Sequence, residues 1–124
     1  MYELKIRGHF CAAHFLRGYQ GNCAYTHGHS FQYELNIEMA SLDDIGMMID
    51  FKDVKKVMRD LIENSLDHKF LNELPMFEKI NPTAENLEHL IYDLINHGYG
   101  IPFMVSKVTV WESPDCSASY WEEE

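Results

Sequence analysis

Apolar and polar residues alternate most cleanly over residues 31–39. Phe31, Tyr33, Leu35, Ile37 and Met39 share one face, and Gln32, Glu34, Asn36 and Glu38 share the other. A period of two puts successive side chains on opposite faces of extended backbone, so the stretch reads as a half-buried strand. Residues 2–10 alternate in the same way, with Tyr2, Leu4 and Ile6 opposed to Glu3, Lys5 and Arg7. The Gly-bearing segment between them, residues 12–30, is far too long for a tight hairpin turn, and loops of that size inside compact domains are usually functional. From Asp50 the period turns helical: Phe51, Val54, Val57, Met58, Leu61 and Ile62 form an apolar stripe, with Asp50 as the expected N-cap. A second helix is expected from Asn81-Pro82-Thr83, with Asn81 as cap and Pro82 at the first helical position. Leu87, Leu90, Ile91, Leu94 and Ile95 give it an apolar face, and Gly98 a stop. Residues 103–111 are again β-rich, and residues 117–121 offer a last strand. The order strand, strand, helix, helix, strand, strand predicts a single α+β domain over residues 1–124, with the helices packed on one sheet face. The polar face must meet solvent or an assembly.

Composition narrows the function classes. The 124 residues are 46% hydrophobic and 24% charged, enough for one real core. A formal net charge of −10 opposes nucleic acid and anionic membranes as partners, since both call for clustered Lys and Arg. Cys11, Cys23 and Cys116 form no CxxC pair and no disulfide framework, which points to a reducing cytoplasm. The first ten residues lack the apolar stretch of a signal peptide, and no run is long enough to span a membrane.

His27-Gly28-His29 is the sharpest local signal. In extended backbone residues i and i+2 project from the same side, so both imidazoles can reach one ion, and Gly28 lets the backbone bend close to it. His14, at the end of the first strand, is a third candidate, and three imidazoles with an open position suit a catalytic zinc. Taken alone, the HGH pair fits an exposed loop as well as a metal site. His9, His89 and His97 read as a strand position, a helix surface and a helix C-terminus. Cys23 has three readings: a fourth ligand closing a structural site, a thiol activated beside the metal, or an inert loop thiol. Cys11 and Cys116 read as small hydrophobic residues in strands.

Two further groups bear chemistry. Asp67-His68 joins a carboxylate to an imidazole it could orient, against the plainer reading of a polar helix-end turn. Glu112 ends an apolar strand, where a carboxylate can accept two parallel hydrogen bonds from a planar N–H fork; the plainer reading is an exposed strand end.

FCAAH at 10–14, CAYTHGH at 23–29, GMMIDF at 46–51, LDHKFLN at 66–72, NPTAEN at 81–86 and VWES at 110–113 occur in this order along nearly the whole chain. Together they resemble the 6-pyruvoyl-tetrahydropterin and 6-carboxytetrahydropterin synthase family, and the short form is most similar to the bacterial 6-carboxytetrahydropterin synthases of queuosine biosynthesis. The resemblance implies a tunnelling fold: a four-stranded antiparallel sheet with two helices on one face, whose strands close a barrel between subunits of a trimer or a dimer of trimers. It implies zinc on His14, His27 and His29, a catalytic Cys23, and Asp67 and His68 contributed by a neighbouring subunit. Glu112 would anchor the pterin, with Thr83 and Glu85 beside it. The implied substrate is 7,8-dihydroneopterin triphosphate, converted with loss of triphosphate and acetaldehyde to 6-carboxy-5,6,7,8-tetrahydropterin, with no organic cofactor. A triphosphate needs positive charge, and Lys5, Arg7, Arg17 and Lys69 are the candidates to supply it.

Three other functions compete. 6-Pyruvoyl-tetrahydropterin synthase activity shares the motifs and omits the carbon–carbon cleavage. A non-catalytic zinc-stabilised module would use Cys23 as fourth ligand. A cyclohydrolase-type zinc hydrolase would call for two cysteines and one histidine, a pattern this chain lacks.

Overall fold

A computed structural model of the chain describes residues 1–21 and 25–123. Strands β1 (Tyr2–His14) and β2 (His27–Met39) form a long antiparallel ladder running from Tyr2 opposite Met39 to His14 opposite His27. Each is four residues longer, at the end nearest the intervening loop, than the apolar alternation marks. Three strands complete the sheet: β3 (Lys69–Phe70), β4 (Lys107–Ser113) and β5 (Cys116–Tyr120), in the order β3-β1-β2-β4-β5.

This corrects the expected four-stranded antiparallel sheet: among the described residues there are five strands and the sheet is mixed, because β3 runs parallel to β1. The cause is local. After the first helical segment the chain docks on the free edge of β1, where the Asp67 carboxylate accepts from Cys11 N (2.9 Å) and His68 N donates to Cys11 O (2.6 Å). Within the single chain the sheet is open.

The first helical segment starts as α1 (Phe51–Val57), passes through a π-helical stretch (Met58–Glu63) and ends in the short α2 (Asn64–Leu66). Asp50 caps it as expected, accepting from Lys52 N at 2.8 Å. The second long helix, α3 (Ala84–Asn96), begins two residues later than expected, with Thr83 as its cap. Asn81 cannot cap it because its side chain already holds the backbone of Arg17 in both directions, at 2.8 and 2.9 Å.

Both helical segments cover the face carrying Leu4, Ile6, Phe10, Phe31, Leu35 and Ile37, all buried. Each such side chain contributes about 1.5–3 kcal/mol on leaving water. Gly8 lies under the buried Tyr33 ring: a β-carbon there would stand 2.5 Å from the ring. Tyr33 then reaches past the strand to donate to Glu63 at 2.7 Å. On the opposite face Glu3, Lys5, Arg7 and Gln32 are exposed. Cys11 and Cys116 also lie in strands, but both are exposed, contrary to the small-hydrophobe reading. Cys11 alternates onto the polar side, 3.5 Å from Ser30 Oγ.

Candidate metal centre and adjoining pocket

The apolar stripe of the sheet ends in imidazoles. His14 lies directly opposite His27, and His29 opposite Ala12, so the period of two that buries Phe10 and Phe31 also carries all three rings to the core face at one end. His14 and His29 both meet the Phe31 ring edge-on, at 5.5 and 5.4 Å. The three ring centroids are 4.6–5.2 Å apart. Their ligand atoms all lie within 4.8 Å of one another.

Tautomers decide what such a cluster can bind. His14 Nδ1 is 2.7 Å from the Pro82 carbonyl, and His27 Nδ1 is 2.7 Å from the Tyr25 carbonyl. A carbonyl only accepts, so both Nδ1 atoms carry protons and both Nε2 atoms keep free lone pairs, the arrangement that orients metal-binding histidines. His14 Nε2 is buried with no hydrogen-bond partner among the described residues. Burial holds the His14 imidazole below its usual range; the Pro82 carbonyl and the Glu112 carboxylate act against this, and His27 and His29 with it. A neutral, desolvated imidazole with an orphaned lone pair fits a bound cation, and three nitrogen donors with space beyond suit zinc. Pro82 and Tyr25 carry no sequence signal for this part, since they act through backbone carbonyls.

The second cluster adjoins the first. Glu112, Thr83 and Glu85 line a pocket of about 280 Å³, with Leu16 and Tyr19 on its rim and Val110 and Ala118 on its sheet side. The Thr83 hydroxyl caps α3 by accepting from Asn86 N (3.1 Å). Asp67 and His68 lie elsewhere, at the outer edge of β1. His68 adopts a left-handed backbone (φ 57°), and its Nε2 is 3.5 Å from the second Asp67 oxygen, so these adjacent residues do face each other. His68 and Lys69 line a wide cleft of about 570 Å³ that also reaches His29. Cys23 lies outside the described residues.

Of the four basic candidates, Arg17 is committed to structure, its guanidinium donating to the carbonyls of Phe77 (2.8 Å), Ile80 (3.3 Å) and Asn72 (3.5 Å). Arg7 pairs with Glu34 and lies over the Trp111 ring. Lys5 is 3.7 Å from Glu3. Lys69 alone among the four lines the cleft.

An α+β sheet with three converging imidazoles beside a carboxylate-lined pocket defines a metal-capable small-molecule enzyme site. The chain belongs to the 6-pyruvoyl tetrahydropterin synthase family, whose model matches residues 3–123. It is 31% identical to the 6-carboxy-5,6,7,8-tetrahydropterin synthase of Rickettsia felis, over 94% of this chain and 97% of that protein. It is 33% identical to the enzyme of the same name from Synechocystis sp., over 90% of this chain and 87% of that protein. Its fold matches the solved Caenorhabditis elegans 6-pyruvoyl tetrahydropterin synthase with a TM-score of 0.86 at 23% identity, covering 98% of this chain and 96% of that one. No helix among the described residues is long and apolar enough to cross a membrane.

Proposed function

We propose that the protein is a zinc-dependent carbon–carbon lyase converting 7,8-dihydroneopterin triphosphate to 6-carboxy-5,6,7,8-tetrahydropterin, with release of acetaldehyde and triphosphate, in the cytoplasmic route to queuosine. The observation that carries the reading is the junction at Pro82–Thr83: one short segment fixes the His14 tautomer and opens the pocket holding Glu112. The full-length likeness to enzymes named 6-carboxy-5,6,7,8-tetrahydropterin synthase supports the choice of reaction.

His14, His27 and His29 would hold the ion, which when bound supplies Lewis-acid polarisation of the substrate side chain. Glu112 accepts two parallel hydrogen bonds from the N–H fork of the pterin ring and so sets its orientation. Thr83 and Glu85 wall the ring. Cys23, four residues before His27 in sequence, acts as the thiolate base toward the acidified C–H of the side chain. Asp67 and His68 of a neighbouring copy move protons: one Asp67 oxygen is tied to Cys11 N, which leaves the other to orient His68. Lys69 beside them is placed to meet the triphosphate. The two open sheet edges, β3 and β5, and the polar sheet face support closure with further copies, as a trimer or a dimer of trimers.

The test is to incubate zinc-loaded protein with 7,8-dihydroneopterin triphosphate and to measure acetaldehyde alongside the pterin products. Acetaldehyde with the 6-carboxy product, reduced at least about 100-fold in Cys23→Ala with zinc content unchanged, is expected. A pyruvoyl product without acetaldehyde would assign the sister reaction. No turnover, with zinc lost from Cys23→Ala, would leave a structural metal module.

A further inference from the structure

A second group of metal-ligating side chains lies far from the first in sequence, on α3 and the chain after β5. His89 and Asp93 are one helical turn apart on α3, and His97, the C-cap residue, is one turn further. Steps of four advance only about 40° around a helix, so the three form one strip. Glu122, from the segment after β5, comes to the same place: the ligand atoms of His89, Asp93 and Glu122 all lie within 4.8 Å of one another. His89 Nε2 is 3.3 Å from one Asp93 oxygen, and His97 Nε2 is 3.7 Å from the other. Donors about 2.0–2.1 Å from a tetrahedral zinc stand roughly 3.3–3.4 Å apart, so the first pair already has ligand spacing.

The supporting contacts set this cluster apart from a solvated ion pair. Tyr120 donates its hydroxyl to Glu122 at 2.6 Å, and its ring stacks on His89 at 4.3 Å with 20° between the planes. Tyr92 meets Tyr120 edge-on at 5.1 Å. One tyrosine therefore orients both the carboxylate and the imidazole, as outer partners do in metal sites. The His89 imidazole favours a zinc-class transition ion over magnesium or calcium, and the two carboxylates balance its charge.

We propose that His89, Asp93 and Glu122 form a second divalent transition-metal site, independent of the His14 centre and of the reaction proposed for it. The test is calorimetric titration of chelator-stripped protein with Zn²⁺, with thermal melts confirming that each variant folds. Wild type takes up two equivalents per chain. His89→Ala and Asp93→Asn each lose one equivalent and keep the other. Tyr120→Phe keeps both, with the second weakened about tenfold. His27→Ala, which disables the first centre, retains the second equivalent. Zinc uptake that is unchanged in His89→Ala and Asp93→Asn, or that His27→Ala abolishes entirely, overturns the proposal.

Discussion

Glu88 offers a perturbation whose size follows from the structure. It lies on the core side of α3, 1% exposed, and neither carboxylate oxygen has a hydrogen-bond partner among the described residues. Burial raises its pKa from 4.5 to about 7; the Val110 backbone opposes this rise and Glu85 adds to it. The folded state therefore holds the proton more tightly than the unfolded chain does. The contribution is fully present below pH 4.5, falls as pH rises toward 7, and above that leaves a buried charge costing about 3 kcal/mol. Glu88→Gln removes the ionisation and keeps the shape. Urea unfolding of wild type and Glu88→Gln at fixed protein concentration, from pH 5 to pH 8.5, isolates this group, because all other titrations cancel in the difference. The variant should gain about 2–3 kcal/mol relative to wild type across that range. Its amide still lacks partners and shifts the whole curve by a constant, so the slope is the readout. A difference that stays flat with pH would refute the buried-carboxyl reasoning.

Other expectations follow from single contacts. Gly8→Ala drives a methyl into the Tyr33 ring and should destabilise the fold by about 1–3 kcal/mol, read by denaturant midpoint; Tyr33→Leu in the same background should recover part of it. If Glu112 anchors the pterin as proposed, Glu112→Gln should raise KM or the pterin dissociation constant about 10- to 100-fold with the melting temperature little changed, through loss of charge-assisted hydrogen bonds. Thr83→Ala should cost about 1 kcal/mol of stability through the lost cap, and Thr83→Ser should restore it, as measured by thermal melts.

Much of the architecture is legible in the pattern of residues. Leu35 and Ile37 are buried and Gln32 and Glu38 exposed, as a period of two requires, and Asp50 caps the first helix where the period changes. The strand ends were not legible, because Ala12, Ala13, Gly28 and Ser30 are small or polar and break the apolar alternation that marks a strand. Cross-strand pairing supplies what the pattern lacks, and it extends the ladder to His14 and His27. β3 has only two residues, and it exists because Asp67 and His68 dock on Cys11, a contact separated by more than 50 positions. The cap of α3 moved from Asn81 to Thr83 for a similar reason: Asn81 is claimed by Arg17, 64 residues away in sequence. The HGH spacing and the FCAAH segment brought the three imidazoles to attention, but their tautomers depend on carbonyls that any residue carries.

These long-range contacts converge on one joint. Asn81 holds the backbone of Arg17, whose guanidinium ties down the carbonyls of Asn72, Phe77 and Ile80. Asn72 in turn clasps Phe15 through both its amide atoms, at 2.9 and 3.0 Å. The segment leaving β1 is thus fastened to the approach to α3, up to the residue before Pro82. That fastening holds the Pro82 carbonyl against His14 and starts α3 at a position where Thr83 and Glu85 face Glu112. A proline here has no N–H to satisfy and a fixed φ, so its carbonyl direction is set by the residues on either side. The chain therefore commits its best cationic side chain, Arg17, to carbonyls instead of to substrate. What this secures is the shared alignment of the imidazole cluster and the Glu112 pocket, and a rigid joint of this kind keeps two sites in register when the groups between them are backbone atoms.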